Sequence, residues 1–372
     1  MLINVHRPSP VPDLDFKVPS GCGLTGLISQ KGELLPGDAI YRSLCSMEER
    51  GNGLGAGYAA YGIYPDFAAN RAFHLMCDTE DARRAAEAVL RRDCTIRHDE
   101  PIPTSPVKAL KNIPVLWRYF LDIKPEAVER VGGGATEPDA VVRLVMEINR
   151  KVDGAFVFSS GRNMGIFKGV GNPEEIGEFF RIPAYRANVW IGHNRFPTNS
   201  VSWWGGAHPF GLLDWSLVHN GEISSYGTNR RYLESYGYWC TLQTDTEVMA
   251  YLFDLLVRRH GLDFDLAAQV MAAPFWTRIE REEDPEARRL SSALRAVYGG
   301  ALVSGPFAVL VSDGKSLVGL NDRIKLRPLV AARKGSVSYI ASEEAAIRCI
   351  CPDPEALWMP DAGVPTVVTV EA

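Results

Sequence analysis

Cys22 lies between two glycines in Ser20-Gly-Cys-Gly-Leu-Thr-Gly-Leu-Ile28, where a loop-like approach from Pro19 runs into an apolar strand. These neighbours single it out as a candidate nucleophile, a role that needs a positioned base and donors for the oxyanion it creates. The other six cysteines, Cys45, Cys77, Cys94, Cys240, Cys349 and Cys351, form no Cys-x-x-Cys and have no histidine at ligand spacing. They read as small buried hydrophobes, not as a disulfide framework or a zinc site, and no metal is expected in this chain.

Four other stretches carry candidate chemistry. His193-Asn-Arg195-Phe-Pro-Thr198 follows an apolar run at Val189 to Gly192. An arginine at a strand end presents a planar fork that fits a carboxylate bidentately, with Thr198 near enough to share it. His219-Asn220-Gly221-Glu222 ends another apolar run, and its Asn-Gly pair reads structurally as the tight turn of a hairpin. The same pair offers a side-chain amide and a glycine N–H, the donors a tetrahedral oxyanion requires. Gln243-Thr-Asp245-Thr-Glu247 opens a helix, with Thr244-x-x-Glu247 as a capping box and Asp245 at a loop edge able to hold an ammonium. Ala207-His208-Pro209-Phe210, after Trp203 and Trp204, reads on its own as an aromatic corner of the core. Each stretch is ordinary alone. Together, Cys22, Arg195, Asn220 with Gly221, and Asp245 describe a site for an α-amino acid whose side-chain amide is attacked, and glutamine fits that description.

The elements that must position these groups are short. Leu24 to Ile28 reads as a buried strand, followed by an amphipathic helix over Pro36 to Arg50 with Ile40, Leu44 and Met47 on one face, Asp38 as N-cap and Gly51 as stop. The glycines after Arg50 leave a helix, whereas a dinucleotide fingerprint leaves a strand, so a nucleotide loop is rejected. Between Tyr64 and Arg150 come a strand (Ala72 to Met76), a helix (Thr79 to Arg92), a strand (Cys94 to His98) and a helix (Pro138 to Arg150), read as a small α/β insertion over 64–150. Ala155 to Phe158 and Gly165 to Phe167 suggest a hairpin. Further strands are expected at Val189 to Gly192, Trp215 to His219, Phe307 to Ser312, Ser316 to Gly319 and Ser336 to Ala341, interrupted by helices at Thr246 to His260, Leu262 to Ala272 and Glu286 to Val297. Short strands with segregated helices point to an α+β layered core.

The 372 residues suggest two or three units at about 150 residues each. With 40 Lys+Arg against 45 Asp+Glu, the net charge of −5 offers no field for phosphate backbones or anionic membranes, so nucleic acid is not expected as a partner. No apolar run approaches the roughly 20 residues of a membrane span, and the first residues hold Asp13, Asp15 and several prolines in place of an export signal. A soluble, cytoplasmic chain is expected.

At its chemistry-bearing residues the chain resembles the class II glutamine amidotransferases, an N-terminal-nucleophile family. The resemblance rests on Cys22-Gly-Leu-Thr-Gly, Met47-Glu-Glu-Arg-Gly51, His193-Asn-Arg195-Phe-Pro-Thr198, Ala207-His-Pro, His219-Asn-Gly-Glu and Thr244-Asp-Thr-Glu, in that order. Gly305-Pro-Phe-Ala, Asn321-Asp-Arg-Ile-Lys-Leu-Arg-Pro and Ser342-Glu resemble the family's closing strands. Among members it looks most similar to the separate glutaminase subunits of archaeal-type glutamate synthase and of N-methylglutamate synthase. The resemblance implies a four-layer αββα sandwich and a mature N-terminal Cys22 whose α-amino group, with an ordinary pKa of about 8, is the base. It implies that Asn220 and Gly221 hold the oxyanion, that Arg195 and Thr198 bind the α-carboxylate, and that Asp245 binds the α-amino group of L-glutamine.

Cys22 follows 21 residues, so residues 1–21 are expected to be a leader removed by cleavage before Cys22, and 22–372 one catalytic domain interrupted at 64–150. No acceptor domain is expected within the chain. The ammonia is expected to pass to a separate synthase subunit of glutamate-synthase type that carries FMN and iron–sulfur clusters, with no cofactor in this chain. Two other readings are an unprocessed, non-catalytic regulatory or assembly subunit, and an amidase acting on another amide.

Overall fold

The computed structural model describes residues 21–197 and 202–371. Residues 1–20, the greater part of the expected leader, and the candidate Thr198 lie outside the described residues.

The Gly23–Ser29 strand is buried at every position, as an uninterrupted apolar run must be when both its faces are covered. It pairs antiparallel with Val189–Asn194 on one side and Val337–Ala341 on the other. Among the described residues it is central to a seven-stranded sheet in the order Ala356–Trp358, Val330–Lys334, Val337–Ala341, Gly23–Ser29, Val189–Asn194, Ala56–Tyr61, Met164–Gly169. A five-stranded sheet runs Phe210–Leu212, Trp215–Gly221, Phe307–Ser312, Ser316–Asn321, Thr366–Thr369.

Strand periodicity decides how these sheets stack. In Phe307–Ser312, Ala308 and Leu310 face the apolar cluster shared with the seven-stranded sheet, while Phe307, Val309 and Val311 face a second cluster under the helices. The sheets touch closely at Gly26, where an added Cβ would lie 3.2 Å from Leu317 and 3.3 Å from Leu310. On the outer face of the larger sheet, the Gly37–Cys45 helix seats Ile40 and Leu44 against Gly192. Against the smaller sheet, the Asp245–Phe253 helix is buried from Thr246 to Phe253. The architecture is therefore the expected αββα sandwich.

A third, four-stranded sheet orders Cys94–Pro101, Val115–Ile123, Arg71–Cys77 and Ala155–Ser159. The Glu80–Asp93 and Glu137–Lys151 helices belong to it; the first is capped by Thr79 and the second by a capping box between Thr136 and Asp139.

Several local expectations are corrected. Ala155–Ser159 and Met164–Gly169 do not form a hairpin: the first pairs with Arg71–Cys77 and the second with Ala56–Tyr61, in different sheets. The connection turns sharply at Asn163, with φ +48, and at Gly161, where a Cβ would meet Leu213 O at 2.7 Å. Asn220-Gly221 is not a tight turn either; both residues remain in the ladder, opposite Ala308 and Phe307. Asp38 does not cap its helix. Pro36 holds that position, and Asp38 lies in the first turn, 2.9 Å from Arg42. The helix stops at Cys45, before a short 3-10 turn over Glu48–Arg50. No helix among the described residues is long and apolar enough to cross a membrane.

Candidate active site

Cys22 sits just before the central strand, half-buried. Its Sγ accepts the Phe196 N–H at 3.2 Å, and its carbonyl accepts Arg50 Nε at 3.0 Å. Arg50 also pairs with Glu343, so the Cys22 backbone is held from outside the strand. Beside it, Gly51 leaves room for the buried Asn194 side chain, since a Cβ there would fall 1.9 Å from Asn194 Oδ1. Burial pushes the Cys22 thiol above its ordinary value, and the Phe196 N–H and the Arg195 charge only partly offset it.

Arg195 leaves the end of the adjacent Val189–Asn194 strand and is buried. Its backbone N–H donates to Gly55 O at 2.8 Å, which fixes where the side chain departs. Burial lowers its pKa, and Cys22 and Asp245 act against that.

The end of the Trp215–Gly221 strand supplies the amide donors. Asn220 is 1% exposed, and its Nδ2 has no hydrogen-bond partner among the described residues. A buried amide donor without an acceptor costs about 1–3 kcal/mol, so its retention points to a ligand atom. Its Oδ1 faces Gly21, 3.5 Å from where a Cβ would stand. Gly221 has φ +148, and a Cβ there would lie 1.9 Å from Pro306 O, so only glycine fits.

Asp245 opens its helix, whose N-cap Thr244 accepts the Glu247 N–H at 3.3 Å. Half of the expected capping box is thus present. The Glu247 carboxylate goes elsewhere, accepting N–H groups from Thr241 at 3.0 Å and Leu242 at 2.9 Å and the Tyr251 hydroxyl at 3.0 Å. Asp245 accepts the Ile223 N–H at 3.2 Å and lies 3.6 Å from His219 Nδ1. Burial works to raise its pKa, but His219 and the N–H groups of Ile223 and Thr246 outweigh it and hold the carboxylate below its ordinary range.

Cys22, Arg195, Gly221 and Asp245 open onto one cavity of about 620 Å³. Asn220 stands behind Gly221, and Thr198 falls outside the described residues. The five described candidates are brought together from four separate segments of the chain.

Other members of the site are not evident from spacing. His208 stacks on His193 with ring centroids 4.0 Å apart and bonds to Thr246 Oγ1, while His219 Nδ1 lies 3.3 Å from the same hydroxyl. His193 Nε2 donates to His219 O at 3.0 Å, because a carbonyl can only accept. Burial pushes His193 down to about 3 and His208 well below its ordinary value, so both imidazoles are neutral props behind Asp245. Lys168, also buried, donates to Gly205 O at 2.9 Å and lies 4.0 Å from the Phe210 ring centre. It pins the turn that leads into Ala207-His208. Arg327, in the Leu-Arg-Pro stretch, lines the cavity as well. Among the described residues no three His, Cys, Asp or Glu side chains group as a metal site.

An αββα sandwich thus brings a half-buried cysteine, a buried amide donor beside a glycine, and an arginine with an aspartate to one cavity. The family model described as Glutamine amidotransferases class-II matches residues 140–350, a span that contains Arg195, Asn220, Gly221 and Asp245. The chain belongs to the class-II glutamine amidotransferases. It is similar to an "Uncharacterized protein" of Archaeoglobus fulgidus, 43% identical over 96% of this chain and 93% of that one. It is also similar to a Methanothermobacter thermautotrophicus protein named "Putative glutamine amidotransferase", 25% identical over 88% of this chain and 93% of that one. A solved structure of glutamine phosphoribosylpyrophosphate amidotransferase from B. subtilis aligns with 94% of this chain and 49% of that one, at 14% identity and a TM-score of 0.44. Family membership implies hydrolysis or transfer of the glutamine amide.

Proposed function

We propose that the chain is a glutaminase that converts L-glutamine to glutamate and ammonia through a thioester on Cys22, and that it passes the ammonia to a separate synthase subunit. The observation that carries this reading is the single cavity shared by Cys22, Arg195, Gly221 and Asp245. Glutamine enters with its α-carboxylate toward Arg195, a grip completed by Thr198, and its α-ammonium toward Asp245. Two opposite charges fix the zwitterion, so its amide carbon is delivered to Sγ.

The thiol proton passes to the α-amino nitrogen of Cys22 as the S–C bond forms, and the carbonyl π pair moves to oxygen. Asn220 Nδ2 and the Gly221 N–H receive that oxyanion. When the C–N bond breaks, the proton goes to the departing nitrogen and ammonia leaves. Water, giving its proton to the same amine, then attacks the thioester; glutamate departs and the proton returns to sulfur.

This requires a free amine on Cys22, hence removal of residues 1–21. The same reading treats 22–372 as one catalytic domain interrupted at 64–150. The partner is of glutamate-synthase or N-methylglutamate-synthase type and carries the FMN and iron–sulfur clusters; no cofactor is assigned to this chain. A second reading is a non-catalytic regulatory or assembly subunit that keeps the pocket but is never processed before Cys22.

Ammonia release from glutamine, measured for wild type and Cys22→Ala alongside intact mass, decides between them. The expected result is activity only in wild type, with a mass lacking residues 1–21. An active protein that retains residues 1–21 would sink the maturation step, and absence of ammonia from a trimmed wild type would sink the glutaminase. Addition of the synthase subunit is expected to give glutamine-dependent synthesis.

A further inference from the structure

The cavity holds a positive charge that glutamine hydrolysis, as laid out above, does not use. We propose, resting on the glutaminase reading, that Arg327 is a positioning residue of this site: its guanidinium supplies the charge against which Cys22 forms its thiolate, and it is not a ligand of the substrate.

Arg327 lines the same cavity as Cys22. Its Nη1 is 3.3 Å from where a Cβ on Gly21 would lie, so it faces the peptide unit that leads into the nucleophile. The loop that delivers it is fixed. Asp322, buried at 2% exposure, accepts N–H groups from Phe307 at 3.2 Å, Ile324 at 3.0 Å and Leu326 at 2.9 Å, and Asn321 Nδ2 donates to the Arg327 carbonyl. Phe307 is the ladder partner of Gly221, so this loop and the oxyanion donors share one anchor.

The guanidinium itself is not consumed by structure. Arg327 Nε is buried without a hydrogen-bond partner, and no carboxylate pairs with Arg327 among the described residues. A partly buried arginine with no counter-ion is a cost that folding alone does not offset, which points to an anion formed during the reaction.

The site meets three negative charges, one brought by the substrate and two formed during the reaction, and two of the three already have donors. The substrate carboxylate has Arg195 and the oxyanion has Asn220 with Gly221. The thiolate has the Phe196 N–H and whatever cation faces it. Arg195 is neutralised once it grips a carboxylate, while Asp245 and Glu222 in the cavity wall oppose a second negative charge. His208 is held neutral by burial, His219 is engaged with Asp245 and Thr246, Tyr226 is a neutral phenol in the wall, and Arg50 is turned to the Cys22 carbonyl and Glu343. Among the described residues lining the cavity, Arg327 is the cation left for sulfur. Consistent with this, burial and Asp245 push the thiol up, and the Phe196 N–H, Arg195 and Arg327 pull it down. The step assisted is cleavage of S–H, with the proton going to the freed α-amino nitrogen and the electron pair staying on sulfur.

The test reads the thiol directly. Alkylation of Cys22 by iodoacetamide is followed against pH in the full protein by peptide-resolved mass spectrometry, for wild type, Arg327→Gln and Arg327→Lys, with KM for glutamine measured in parallel. In Arg327→Gln the alkylation midpoint should rise by about one pH unit, a roughly tenfold slower reaction at any pH below both midpoints. Arg327→Lys should restore most of the shift, and KM should stay within about twofold in all three. An unchanged midpoint in Arg327→Gln overturns the proposal, and an unchanged midpoint with KM raised tenfold or more makes Arg327 a substrate ligand. If the Gln variant does not fold, Arg327→Met against Arg327→Lys gives the same comparison. Wild type that releases no ammonia, yet whose Cys22 midpoint depends on Arg327, would overturn the glutaminase reading and not this one.

Discussion

Asn220 shows why the residue scale carries most of the chemistry. Its Nδ2 is buried and has no partner among the described residues, a state that costs stability and suits a donor that must be aimed before its acceptor exists. Asn220→Ala should therefore lower kcat for ammonia release by about 10²–10³ with KM changed no more than a few-fold. A large rise in KM with kcat intact would move Asn220 to ground-state binding. On the proposed reading Asp245 makes the opposite kind of contribution, since the ammonium assigned to it is present before and after the chemistry. Asp245→Asn should raise KM about tenfold or more, with a smaller effect on kcat, in steady-state assays. The sign of the pH dependence follows from its depressed pKa, which His219 and the N–H groups of Ile223 and Thr246 impose against the effect of burial. The carboxylate stays charged below its ordinary range, so KM should be flat from about pH 8 down to about pH 5, whereas an Asp245 protonating near pH 6 would make KM climb there.

At the scale of elements, spacing made the strands that carry the site legible: Gly23–Ser29, Val189–Asn194, Trp215–Gly221 and Phe307–Ser312 all lie where apolar runs required them. What spacing could not show was partnership. Ala155–Ser159 and Met164–Gly169 each look like half of a hairpin, but pairing is decided by which sheet edge each meets after the turn at Gly161 and Asn163. Asn220-Gly221 has turn chemistry but is overruled by ladder bonding to Phe307 and Ala308. The buried props, His193, His208 and Lys168, have no periodic signature, because their partners are carbonyls and hydroxyls far away in the chain. Glu247 is similar: a residue that resembles a cap proves to tie the 241–242 backbone to the helix. Glu247→Gln should cost about 1–3 kcal/mol, because an amide NH₂ would face an N–H that now has an acceptor. Urea unfolding should register that loss, and KM for glutamine should rise with it as the segment bearing Asp245 loosens; unchanged stability would mean that the two N–H groups find other acceptors.

Across the whole molecule, the four-stranded sheet is not an appendage with a core of its own. Leu75, Tyr119 and Leu121 from its strands, with Val141, Val145 and Ile148 from the Glu137–Lys151 helix, belong to the same apolar cluster as Val248 and Leu252 of the Asp245–Phe253 helix and Val309 and Val311 of the five-stranded sheet. Arg258 Nη1 joins the two regions again at Asp139, 2.8 Å away, and Arg71, 2% exposed, reaches both Glu137 and Asp214. A shared core loses most of its apolar contacts at once when either side opens, at about 25 cal/mol per Å² of surface exposed, so independent melting of the inserted region is disfavoured. Urea unfolding of the full chain should therefore give coincident midpoints for far-ultraviolet circular dichroism, which follows the secondary structure of all parts of the chain, and for loss of ammonia release, which follows the cavity. The sharper form uses Val145→Ala, distant from Cys22 in sequence but within the common cluster. It should cost about 1–3 kcal/mol and shift both midpoints together. A shift in the spectroscopic midpoint that left the activity midpoint in place would show the four-stranded sheet folding as a separate unit, and would free residues 64–150 from any part in holding Asp245 against the nucleophile.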